Sequence, residues 1–91
     1  NNDFSFFQFY QNYLKICNSG QFDKTSIIKL DKTEQDFLLY ILNKGAIRGE
    51  YYCRQYLYYY YKNGIVVKKD SLKADSLSKF FPEGFFDNVN L

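Results

Sequence analysis

Asp31, Glu34 and Asp36 form the cluster whose residue types could do chemistry, since neighbouring carboxylates exchange protons or hold divalent cations. Their spacing also has a structural meaning. Glu34 lies three residues after Asp31, the spacing of a capping box with Asp in place of Ser or Thr, and Thr33 is an alternative cap. Carboxylates in a first helical turn are further explained by the helix dipole. The thiols of Cys17 and Cys53 stand far apart, with no C-x-x-C and no histidine anywhere in the chain. That excludes the usual zinc sets and every Ser-His or Cys-His pair. No G-x-x-x-x-G-K-[ST] phosphate loop and no G-x-S-x-G elbow occurs. No residue is assigned as catalytic, cofactor-binding or metal-ligating, and no cofactor is expected in this chain.

The elements that would position any site come from 91 residues and 10.9 kDa, enough for one domain spanning 1–91. An apolar fraction of 46% and an aromatic fraction of 22% supply a packed core. No uninterrupted apolar run reaches the length of a bilayer, so no membrane is expected as a partner. Position 1 is Asn and the chain contains no Met, so the expectation is a piece of a longer protein. The cysteine usage, with no secretory signature, points to buried free thiols acting as small hydrophobes and to a cytoplasmic setting. Of the net +2 charge, residues 62–79 supply Lys62, Lys68, Lys69, Lys73 and Lys79 against Asp70 and Asp75. Strong non-specific DNA binding takes ~6–10 neutralised phosphates, which this cluster alone does not reach.

Apolar residues at three- and four-residue spacing predict amphipathic helices over 3–18, with Asp3 as cap, and over 33–43, with Gly45 as stop. The run Ser26–Leu30 is short and β-prone and predicts a strand. Residues 51–61 contain seven tyrosines ahead of Lys62-Asn63-Gly64-Ile65. Tyrosine favours strands, and Asn-Gly between β-prone runs is the strongest short hairpin signal, so a Tyr-rich hairpin is predicted over about 55–69. The expected class is α+β: two helices, a short strand and a hairpin. Residues 70–80 fit a short helix or an irregular strand.

From Leu38 onward the order of features resembles the C-terminal end of SMC-like (RecF/OLD-type) AAA ATPases, many of them in anti-phage systems. The resemblance is carried by Phe81-Pro82-Glu83-Gly84-Phe85-Phe86-Asp87 following a hairpin. It implies a non-catalytic tail that packs or assembles within a nucleic-acid-processing or defence protein, its partner being the rest of the parent or another subunit. Pro82 and Gly84 would set the closing turn, and Phe81, Phe85 and Phe86 would anchor it. ATP and magnesium would belong to the parent. Where that family carries a Thr-His-Ser motif after its strand, this chain has Leu30-Asp31-Lys32-Thr33.

Two other readings compete. If residues 49–62 are a helix, the element order is that of a winged helix. Tyr51, Arg54, Gln55, Tyr58 and Lys62 would then face a DNA groove, with the lysines of 68–79 (Lys68, Lys69, Lys73 and Lys79) as the wing. Alternatively the chain is a protein-interaction module that uses an exposed tyrosine surface.

Overall fold

A computed structural model describes residues 5–87; the predicted cap at Asp3 lies outside the described residues. Among the described residues the fold consists of four α-helices, α1 (Phe6–Cys17), α2 (Lys32–Ile47), α3 (Tyr51–Asn63) and α4 (Ser71–Ser78), and two 3-10 turns (Lys24–Lys29, Phe85–Asp87). No strand occurs among the described residues, which overturns the α+β class. Helix α3 packs chiefly on α2 and α4, and α1 packs chiefly on α2.

The segment 26–30, predicted as a strand, is instead a 3-10 turn. Asp23 accepts from the Thr25 backbone N–H at 2.9 Å and from its hydroxyl at 2.7 Å, and the Ser26 hydroxyl donates to the Asp23 carbonyl at 2.6 Å. Local side-chain bonds of this kind compete with a ladder. The carbonyls of Ile27 and Leu30, which a neighbouring strand would have to satisfy, accept from Gln35 Nε2 at 3.1 and 3.0 Å.

The predicted hairpin over 55–69 is also absent. Residues 51–63 are helical, and Asn63-Gly64 ends that helix rather than turning between strands. Gly64 adopts φ 66°, ψ 37° and donates to Tyr60, whose carbonyl also accepts from Ile65 at 3.0 Å. A left-handed glycine serves a helix end as well as a type I′ turn, so the dipeptide does not decide between them. Packing does. At helical spacing Cys53, Leu57 and Tyr60 enter a core with Tyr10, Leu14, Ile27, Leu38, Ile41 and Leu42, while Tyr58 is buried on another side. Ile65, Val66 and Val67, predicted as the second strand, form a half-buried loop with Val66 at φ 54°. A β-branched residue there is strained and must be held by its surroundings.

Helix α2 outruns its predicted range of 33–43, because Gly45 is not its stop. Gly45 is buried within the helix, against Cys53 of α3 and Phe6 of α1. The chain turns instead at Arg48-Gly49-Glu50, with Gly49 at φ 94°. The capping box at Asp31 forms as the spacing predicts, Glu34 N–H donating to Asp31 at 2.9 Å. Residues 71–78 take the helical option, capped by Asp70, which accepts from Lys73 N–H at 3.0 Å.

Two hydrogen-bonded tyrosines lie in the core. Tyr60 donates to the Lys24 carbonyl at 2.8 Å, which leaves the Tyr10 hydroxyl to donate to Tyr60. Burial pushes both phenols far above the ordinary tyrosine range, and Tyr60 adds to the rise at Tyr10. Because the folded values are raised, this contribution to stability is complete below about pH 10 and is lost as pH rises through the folded values. In an alkaline titration followed by tyrosinate absorbance, two of the ten tyrosines are expected to ionise only as the protein unfolds. Tyr60→Phe, which leaves a buried carbonyl and hydroxyl short of a partner, is expected to cost about 1–3 kcal/mol in denaturant melts.

Candidate functional site

The acidic cluster is absorbed by structure. Asp31 and Glu34 cap α2, Glu34 also accepts from the Tyr13 hydroxyl, and Asp36 pairs with Lys32. The bond to Glu34 pushes Tyr13 up to about 12. No group of three or more His, Cys, Asp or Glu gathers to hold a metal among the described residues. Of the two thiols expected to be buried, Cys17 is exposed, at the last position of α1, whereas Cys53 is buried with its thiol 3.7 Å from Glu50. Burial and then Glu50 push that thiol up to about 12, so it is not a nucleophile at neutral pH.

The predicted nucleic-acid or partner contacts do not converge on one surface. Arg54 donates to the Ala46 carbonyl at 3.1 Å and lies 3.6 Å above the Phe80 ring. Tyr58 is buried with its ring stacked 3.8 Å from Phe86, and Gln55 is buried as well. The middle of the α3 face that would enter a DNA groove is therefore occupied by contacts with Phe80 and Phe86, while Tyr51 and Lys62 at its two ends stay open. Lys62, Lys68 and Lys69 are exposed at the far end of α3, where lysines complement the negative end of the helix dipole.

The closing motif acts as a clasp. Phe85 N–H donates to the Pro82 carbonyl at 3.0 Å and Gly84 takes φ 79°, so the chain turns back. Phe81 and Phe85 then meet Tyr51 at 4.9 and 6.1 Å, and Phe86 covers Tyr58.

The prominent concave surface lies between α1 and the start of α3. It is an open hollow of about 780 Å³, lined by Phe7, Phe22, Tyr51, Tyr52 and Tyr56 with Ser5, Gln8, Gln11 and Glu50. Its floor is mutually packed: Phe7 stacks on Tyr56 at 5.5 Å with interplanar angle 10°, and Phe22 meets Tyr56 edge-on at 5.8 Å. Tyr51 and Tyr52 stand on the rim, 46% and 51% exposed. Glu50 fixes the two walls to each other. Its carboxylate accepts from Phe7 N–H at 2.9 Å and Phe6 N–H at 3.1 Å, amides of the first turn of α1, and pairs with Arg48 at 3.1 Å. Of this site, the sequence reading singled out Tyr51 alone, as an outward residue of a helical 49–62. Tyr52 and Tyr56, four apart on one helix face, were the available signal for the rest, and the hairpin expectation split them from Phe7 and Phe22.

No family model matches the chain, and no curated protein and no solved structure matches it either. The resemblance to SMC-like ATPases rested on a hairpin followed by the closing motif. With the hairpin replaced by α3, it rests on Phe81–Asp87 alone. The winged-helix order likewise has its helices but, among the described residues, neither its strand nor its wing. Among the described residues no helix is long and apolar enough to cross a membrane.

Proposed function

We propose that this chain is a non-catalytic protein-interaction module, whose contact surface is the aromatic hollow between α1 and the start of α3. The observation that carries the reading is the pair of half-exposed tyrosines, Tyr51 and Tyr52, on the rim of a concave aromatic surface. Tyrosine gives large, rigid contact area at low entropic cost, and it is enriched where partners bind. The partner is the remainder of a parent protein or a second subunit, in a cytoplasmic setting.

Peptide-display selection on the whole chain tests this, with Tyr52→Ala as counter-selection target. Tyr52 is half exposed, so the variant is expected to keep the wild-type melting temperature. The expected result is a set of peptides that bind the wild type and lose at least about tenfold in affinity on Tyr52→Ala, a loss of 1.4 kcal/mol or more. A selection returning no Tyr52-dependent binder would refute the module reading.

A second reading, the tail of an SMC-like ATPase in nucleic-acid processing or anti-phage defence, is favoured by the clasp of Phe81–Asp87. There the hollow would serve assembly, and ATP and magnesium would be held by the parent.

A further inference from the structure

We infer that Asn63-Gly64 is a self-modification site, where the chain converts its own asparagine to aspartate or isoaspartate at a rate set by opening of the last turn of α3. The inference does not rest on the hollow and stands whatever occupies it.

The chemistry needs only water. The Gly64 nitrogen gives up its proton and bonds to Asn63 Cγ, and the side-chain amide leaves as ammonia. Water then opens the resulting five-membered ring at one of its two carbonyls. One opening leaves aspartate. The other leaves isoaspartate, with an extra methylene in the main chain. Glycine favours the attack because it has no side chain to shield its nitrogen. Asn63 is the asparagine of this chain that glycine follows, whereas Asn12, Asn18 and Asn43 precede Tyr13, Ser19 and Lys44.

The fold holds the two reacting groups apart. Asn63 Nδ2 donates to the Tyr59 carbonyl at 3.0 Å, and Gly64 N–H donates to the Tyr60 carbonyl. Ring closure also requires Asn63, the last residue of α3, to leave helical backbone angles. All three restraints belong to one turn. Asn63 and Gly64 are exposed, so fraying of that turn uncovers little. Against fraying stand the bonds from Ile65 N–H to Tyr60 and from Asp70 N–H to Tyr61, both 3.0 Å, and the packing of half-buried Ile65, Val66 and Val67 on the core. Attack is thus confined to the minor population in which the turn is open.

Gly64 is itself required by the fold. It sits at φ 66°, and a Cβ there would lie 3.2 Å from Lys69 Cβ. The backbone that ends α3 therefore also places an unshielded nitrogen after Asn63. Its product alters that end of the helix. A new carboxylate would stand at the negative end of the α3 dipole. Isoaspartate would in addition lengthen the main chain just before Gly64, displacing the donors to Tyr60 and loosening residues 64–70.

The test is to age the whole chain in mildly alkaline buffer, folded or unfolded in urea, and to map isoaspartate by peptide mass spectrometry. Asn63 is expected to be the first asparagine converted in the folded chain, roughly ten- to a hundredfold more slowly than in urea, since the turn must first open. Ile65→Ala, which trims the packing and leaves the dipeptide intact, is expected to speed conversion of the folded chain and to leave the rate in urea unchanged. Asn63→Gln is expected to remove the signal. Equal rates in the folded and unfolded chain, or an unchanged folded rate in Ile65→Ala, overturn the inference by removing the gate. Earlier conversion of another asparagine, or a folded chain still intact when the urea sample is fully converted, overturns it by removing the site.

Discussion

Glu50→Ala is expected to lower the unfolding free energy by about 2–3 kcal/mol, since it removes charge-assisted bonds to two amides in the first turn of α1 and the ion pair with Arg48. For a domain of this size that is a fall of roughly 10–20 °C in melting temperature. The origin is local and specific. Glu50 begins α3, yet its carboxylate sits over the N-terminus of α1, where the helix dipole favours a negative charge. It thereby joins residues 43–45 positions apart in sequence.

The same group predicts an acid dependence. Burial works against the charged form, but the amides of Phe7 and Phe6, the Arg48 guanidinium and the Ser5 hydroxyl outweigh it, and the carboxyl is held below its usual 4.5. A depressed folded value means that the stabilisation is present in full above the unfolded value and is lost as pH falls through the folded one. Thermal melts between pH 7 and pH 2.5 are therefore expected to fall more steeply for the wild type than for Glu50→Gln below about pH 4.5. Parallel curves for the two proteins would remove Glu50 from this role.

Gly45→Ala is the other substitution with a large expected effect. In an exposed helix interior this change stabilises by ~1 kcal/mol, because alanine is the better helix former. Here the new Cβ would overlap Cys53 Sγ and lie 3.0 Å from Phe6 Cβ and 3.1 Å from Cys53 Cβ. Cys53 is fully buried, so its sulfur has no solvent to swing into. The crowding outweighs the propensity gain, and a net loss of about 1–3 kcal/mol is expected. Adding Cys53→Ala to Gly45→Ala removes the overlapping sulfur and is expected to recover part of that loss, a coupling that a double-mutant cycle reads directly. Strict additivity of the two substitutions would mean that α2 and α3 do not approach as closely as this at Gly45.

These two positions show where the sequence stops speaking. The capping box at Asp31 and Glu34 and the aromatic stripe of α1 are properties of neighbours three or four residues apart, and they were legible as such. The turn of Phe81–Asp87 was legible too, because Pro82 restricts its own φ and the residue before it, and Gly84 supplies a positive φ. Gly45 carries no local mark that separates a helix stop from a helix crossing; the difference is the presence of Cys53 on another helix. Asn63-Gly64 is equally ambiguous, since left-handed backbone is wanted both by a hairpin turn and by a helix end. Its neighbours Tyr56–Tyr61 prefer strands intrinsically, but the preference spans only ~1 kcal/mol and reflects packing on a sheet. In this fold no sheet is offered. A helix through Cys53, Leu57 and Tyr60 buries three side chains against α1 and α2, at ~1.5–3 kcal/mol for a large apolar group, and lays Tyr58 under Phe86.

The candidate site divides the same way. Sequence alone determined the material: ten tyrosines and ten phenylalanines, no histidine, two separated thiols and carboxylates at cap positions, which left aromatic contact as the available chemistry. Only the tertiary structure decided which rings became core and which became surface. Tyr10 and Tyr60 are enclosed where α1, α3 and the turn at Lys24 meet, whereas Tyr51 and Tyr52, next to the Glu50 tie between the starts of α3 and α1, stay half exposed. Burial is a property of where helices cross, and periodicity within one segment does not contain it.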